Sequence, residues 1–190
     1  MSYLIPTEEI SLAEQYRLRK GAIDKGVARA VDSFKQAPGN ITFRDANYIT
    51  DFIPAATAAG IYGWLSQPFL AIAGVYSVFA DNALAAITPT CPTNQVWVFY
   101  KVSVLTLAGP DPVAMLQFRK GAAANLLAQF DMEAIYGKTV GDGYFSQPVT
   151  YENPEIATVN AVARVALGAG AGCRIRLGTF IIEPIQNTTI

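Results

Sequence analysis

Asp131 and Glu133 stand two residues apart in the segment FDMEA, a spacing that puts two carboxylates on one face of a β-strand. Such a pair could hold a cation or flank a glycosidic bond, whose hydrolysis needs two carboxyl groups at a set separation. The same spacing arises on any solvated strand face, and that is the reading we adopt. Glu152 and Glu155 bracket Asn153-Pro154 in a turn; a calcium loop needs more acidic ligands at more regular positions. The glycine run GAGAG at 168–172 ends at Cys173, where a dinucleotide fingerprint requires glycine, and leads into the strand-like CRIRLGTFII instead of a helix. It reads as a hairpin connection. Arg174 and Arg176 share one face of that strand, suited to an anion or to acids across a subunit boundary.

The chain contains no histidine. This removes Ser-His-Asp and Cys-His nucleophile activation, histidine zinc sites and the side chain that most often shuttles protons near neutral pH. Cys91 and Cys173 lie in no CxxC or Cys/His pattern, leaving free thiols and a bridge both open. No catalytic residue, metal ligand or cofactor site is assigned, and we expect no enzyme. Formal net charge is −1, from 14 basic and 15 acidic residues, so no global field holds nucleic acid or an anionic membrane.

Charged residues make up 15% of the 190-residue chain and hydrophobic ones 52%, against about 25% charged in an ordinary soluble domain. Apolar exterior left in water invites association, so this composition implies a surface shared with partners. The opening MSYLIPTEEISLAEQ carries acids where a secretion signal needs a basic region and an apolar run. A reducing cytoplasm is the expected setting.

The elements that must position these residues divide unevenly. Residues 1–52 hold 14 charged side chains, whereas 53–100 hold only Asp81. In the first segment Leu12, Tyr16, Ile23, Val27, Ala30 or Val31, and Phe34 recur at helical spacing. Thr7 before Glu8-Glu9, or Ser11 with Glu14, offers the N-cap, and Ala37-Pro38-Gly39-Asn40 stops the helix. Gly21 and Gly26 each cost about 1 kcal/mol relative to Ala, so the helix needs a surface to hold it, either its own domain or a neighbouring subunit. We treat 1–52 as a helical arm with linker and 53–190 as the main domain.

Ile53 to Ala80 contains no Asp, Glu, Lys or Arg over 28 residues. Its length would span a bilayer, but Pro68, Gly60, Gly63, Gly74, Ser66 and Gln67 interrupt it, and no basic cluster flanks it closely. No membrane span is expected. It reads as a loop followed by one strand, Phe69 to Ala80, covered on both faces. Beyond residue 90 the period is close to two. Strands are expected over Gln95–Ala108, with Val96, Val98, Tyr100, Val102 and Val104 on one face, and over Val113–Arg119. Leu126–Ala134 follows, with Leu126, Ala128, Phe130, Met132 and Ala134 facing in. Tyr144–Tyr151, Ile156–Leu167 and Cys173–Ile182 complete the set, with a further strand possible near Ala83–Ile87. No helical pattern separates them, so the fold class is mainly β, an antiparallel β-sandwich of jelly-roll type behind an N-terminal amphipathic helical arm. Trp97 and Phe99 are expected between two layers rather than on a sugar-binding face.

FDMEAIYG, GYFSQPVTYENPE and RIRLGTFIIEP, together with the helical arm, resemble bacteriophage virion structural proteins of β-sandwich type over roughly residues 95–185. The resemblance implies a subunit that forms or decorates a capsid, or belongs to a neck or tail, assembled in the host cytoplasm into a virion. Its partners would be copies of itself in a symmetric homo-oligomer and other virion proteins. A standard interface hides about 800 Å² per partner. The residues expected to make such contacts are Tyr16, Ile23, Val27 and Phe34 on the arm, Ile61, Tyr62 and Trp64 in the low-charge segment, and Arg174 and Arg176. The competing reading is a jelly-roll module that binds or cleaves carbohydrate through Asp131 and Glu133.

Overall fold

The structure, a computed structural model, describes residues 2–46, 67–69, 75–78, 89–108, 113–138, 141–163 and 171–185. Among them the strands in chain order are β1 (Leu4–Pro6), β2 (Ile41–Asp45), β3 (Gln67–Phe69), β4 (Val75–Ser77), β5 (Val96–Ala108), β6 (Val113–Lys120), β7 (Asn125–Asp131), β8 (Asp142–Glu152), β9 (Ala157–Ala163) and β10 (Ala171–Pro184), with one α-helix, α1 (Leu12–Phe34). The chain is mainly β, antiparallel throughout, with two sheets packed as a sandwich behind an N-terminal helix.

One sheet runs β1, β8, β5, β10, with β2 and β3 sharing the far edge of β10: β3 pairs with its start and β2 with its end. The other runs β4, β9, β6, β7. The pairs β3·β10, β4·β9, β5·β8 and β6·β7 are nested one inside the next and fall alternately in the first and second sheet. Between the sheets lies an aromatic core. Phe118 sits 5.4 Å from Phe99, 5.9 Å from Phe130 and 5.3 Å from Phe145 by ring centroids, and Phe130 stacks on Phe145 at 4.2 Å. Trp97 and Phe99 are fully buried there, as their pattern implied. The polar tips of two core aromatics find partners: Trp97 Nε1 donates to Gln95 Oε1 at 3.0 Å and the Tyr151 hydroxyl to the Arg119 carbonyl at 2.9 Å.

The first sheet is buried on its second face too, beneath α1. Of the two candidate caps the helix uses Ser11, whose side chain accepts from the Glu14 N–H at 3.2 Å, and it ends at Lys35 in the left-handed region (φ 55°). Ala22, Gly26 and Ala30 form its buried stripe against Val96, Val98, Tyr100, Phe180 and Ile182. A Cβ at Gly26 would lie 2.5 Å from Val98 Cγ2 and 2.8 Å from Ile182 Cγ1, so glycine is what lets the helix approach this closely. The surface that holds this glycine-bearing helix is its own sheet. Within residues 2–46, β1 pairs with β8, β2 pairs with β10, and α1 covers the sheet between them.

Several strand expectations need correction. Of the single strand expected over Phe69–Ala80, the described residues fall in two strands in different sheets, β3 and β4. β9 and β10 also lie in different sheets, and Ala171 and Gly172 belong to β10, whereas 168–170 of the expected hairpin connection lie outside the described residues. Val96, Val98 and Tyr100 face the helix, but Val102 and Val104 join the inter-sheet core with Trp97 and Phe99. The cause is a bulge. Phe99 pairs with Thr179 and Lys101 with Gly178, so Tyr100 is an extra residue on β5, and pairing with β8 jumps from Val149 to Tyr144 at the same point. An inserted residue reverses the alternation beyond it. Pro148, which has no N–H to donate, sits in the skipped part of β8. Finally, β7 ends at Asp131 and Met132–Ile135 form a 3-10 turn. Leu126, expected inside, is 51% exposed on the edge strand. The Ala83–Ile87 strand lies outside the described residues.

Candidate functional site

The bulge at Tyr100 determines what the uncovered part of the first sheet presents to solvent. Reversed parity brings Lys101 and Ser103, rather than Val102 and Val104, to the outer face beside the helix. There Lys101, Ser103, Arg176, Tyr100, Tyr144 and Arg19 line a cleft of about 250 Å³. Its floor is aromatic: Tyr100 stacks on Phe180 at 4.4 Å with rings nearly parallel. The Arg19 guanidinium lies 5.3 Å from the Phe180 centroid and the Lys101 ammonium 5.2 Å from that of Tyr144. Arg19 pairs with Asp45 at 3.0 Å, and Lys101 forms an ion pair with the buried Asp142. A Cβ at Gly178, opposite the bulge, would meet Lys101 Cβ at 2.8 Å.

Arg19 also borders a neighbouring groove of about 210 Å³ formed by Tyr16, Lys20, Ile23 and Phe43. Its walls are mostly apolar carbon, because Tyr16 stands 69% exposed on the helix and Phe43 45% exposed on edge strand β2. The groove and the cleft form one strip along the flank of α1, an apolar end joined through Arg19 to a polar, aromatic-floored end. Exposed apolar side chains of this kind, rimmed by charge, suit a protein contact.

Of the residues expected at contacts, Tyr16 and Ile23 line the groove and Arg176 lines the cleft. Val27 and Phe34 are half-buried and pack against the core beneath the helix, as Ile23 also does. Ile61, Tyr62 and Trp64 lie outside the described residues, as does the side chain of Arg174. Phe43, Arg19 and Lys101 were missed. Phe43 sits in a five-residue strand too short for its alternation to stand out, and Lys101 reaches the surface only through the bulge.

Asp131 and Glu133 do not share a strand face. Asp131 ends β7 and its Oδ1 accepts from the Glu133 N–H at 2.9 Å, capping the following turn. Glu152 and Glu155 are taken up in ion pairs: Arg29 reaches Glu152 at 2.7 Å and Glu155 at 3.5 Å, and Lys120 reaches Glu155 at 2.9 Å. These ties fasten α1 to the sandwich. Among the described residues no three His, Cys, Asp or Glu side chains converge as metal ligands. Cys91 is a free, buried thiol whose pKa burial pushes up to about 12, with the charges of Glu155 and Glu152 adding to the rise. Such a thiol is a packing residue, not a nucleophile. Among the described residues no helix is long and apolar enough to cross a membrane. No protein-family model and no curated protein matches this chain.

Proposed function

We propose that this chain is a non-enzymatic structural subunit of a virion, forming or decorating a capsid or serving in a neck or tail. The observation that carries the reading is the nested set of strand pairs, β3·β10, β4·β9, β5·β8 and β6·β7, wound alternately over two sheets. That winding supports a jelly-roll reading of the sandwich, an architecture that recurs in capsid, lectin and cupin domains. Within that group the residues favour assembly. The chain has no histidine to build a cupin metal site, and the carboxylate pair that a glycan-cleaving site would use is split between a strand end and a turn. Low charge and the exposed Tyr16 and Phe43 support a surface made to be covered by copies of the chain or other virion proteins.

Sedimentation velocity and negative-stain microscopy of the full chain test this. The expected result is concentration-dependent association into symmetric particles, or co-sedimentation with virions. Tyr16→Arg combined with Phe43→Arg is expected to abolish association while leaving the circular dichroism spectrum unchanged. A chain that stays monomeric at high concentration and binds no virion fraction overturns the reading.

A further inference from the structure

A second recess, of about 180 Å³, opens where α1 meets the end of β6, the edge strand β7 and the irregular middle of β8. Three cations line it: Lys25 and Arg29, one helical turn apart on α1, and Lys120 at the end of β6. Gln147 and Thr150 add neutral polar groups. Two carboxylates answer the three cations. Glu152 and Glu155 pair with Arg29, and Glu155 also with Lys120.

Lys25 is the remaining charge. Its Nζ donates to the Pro148 carbonyl at 2.6 Å, and among the described residues no carboxylate pairs with it. Lys25 is exposed overall, but partial burial of its ammonium holds its pKa below the ordinary lysine value, and the Arg29 charge lowers it further. Arg29 is itself incompletely answered, since its Nε is buried without an acceptor. The recess is thus short of one negative charge and of hydrogen-bond acceptors, in a space that would hold roughly six waters at about 30 Å³ each.

We propose that this recess binds a small tetrahedral oxyanion of the phosphate or sulfate class, held by Lys25, Arg29 and Lys120 with Thr150 and Gln147 as neutral donors. A surplus of one positive charge in a recess of about 180 Å³ suits a small anion. The site is independent of the assembly reading, because none of its residues lines the groove or cleft beside α1.

The test uses the full chain titrated with sodium phosphate or sodium sulfate against sodium chloride at matched ionic strength. Calorimetry and the NMR titration of the Lys25 side chain are the readouts. Phosphate is expected to bind saturably and to raise the Lys25 pKa. Lys25→Met is expected to weaken binding about 10- to 100-fold, as loss of one charge-assisted hydrogen bond implies, whereas Arg17→Met, on the exposed Arg17–Glu14 pair, leaves it unchanged. Lys25→Arg is expected to restore most of the affinity. The proposal fails if phosphate acts no differently from chloride, if the Lys25 pKa does not move, or if the Arg17 and Lys25 variants lose affinity equally.

Discussion

The seat of α1 on the first sheet is tested by comparing the two glycines of the same helix. At Gly21 an added Cβ meets nothing within 4 Å, so Gly21→Ala gains the helix propensity difference of about 1 kcal/mol. At Gly26 the same methyl lies 2.5 Å from Val98 Cγ2 and 2.8 Å from Ile182 Cγ1. Val98 is stiff at χ1 and fully buried, so the strain must spread into helix or sheet; overpacking of this kind costs about 1–3 kcal/mol. Propensity cancels between the two variants, so Gly26→Ala should be the less stable by about 1–3 kcal/mol. For a chain of this length that corresponds to a gap in Tm of roughly 2–12 °C. Denaturant midpoints from circular dichroism, checked against Trp fluorescence, measure it. Equal stability of the two variants would refute the packing described for α1. A gap that vanishes on dilution would show that the helix seats on a neighbouring copy instead of its own sheet.

Further outcomes follow from Cys91, Tyr151 and Asp131. Cys91 should not react with a thiol reagent until the chain unfolds. Because the folded protein holds the Cys91 proton up to about pH 12 against an ordinary value of 9.0, the native state binds more protons than the unfolded state in that window. Stability should therefore fall as pH rises above 9, at up to about 1.4 kcal/mol per pH unit from this group. Tyr151, also raised above its ordinary 10.0 by burial, steepens the fall above pH 10. Urea midpoints measured across this range should drop less steeply for Cys91→Ala, and an unchanged slope would count against the burial assigned to the thiol. Asp131→Ala should cost about 1 kcal/mol through loss of the cap on the Met132–Ile135 turn, while Glu133→Gln, which keeps the capped N–H, should cost little in denaturant midpoint. Similar costs for both would point back to a paired carboxylate site.

Local structure was largely legible in the residues. The Ser11-to-Glu14 cap, the stop near Pro38 and the cores of β5, β6, β8 and β10 follow from capping chemistry and alternation, both of which act between residues close in the chain. The absence of histidine narrowed the chemistry without any coordinates. The candidate strip was legible only in pieces. Tyr16 and Ile23 could be placed on a helix face, and Arg176 on a strand face, but nothing local said that these faces border one another through Arg19. Nor does helical spacing say that Val27 and Phe34 pack half-buried against the core beneath the helix.

Composition and pattern alone determined that this chain is a charge-poor antiparallel β protein with one capped amphipathic helix. Tertiary structure decided which sheet each strand joins, that α1 closes over its own sheet, and where alternation reverses. A period of two tells a strand's faces apart but carries no label for its partners. β3 and β4 part between the sheets, and the extra residue at Tyr100 becomes visible, only when β10 and β8 lie alongside. Pairing is a contact between residues distant in the chain, so it is settled by how the whole core fills, not by any one segment.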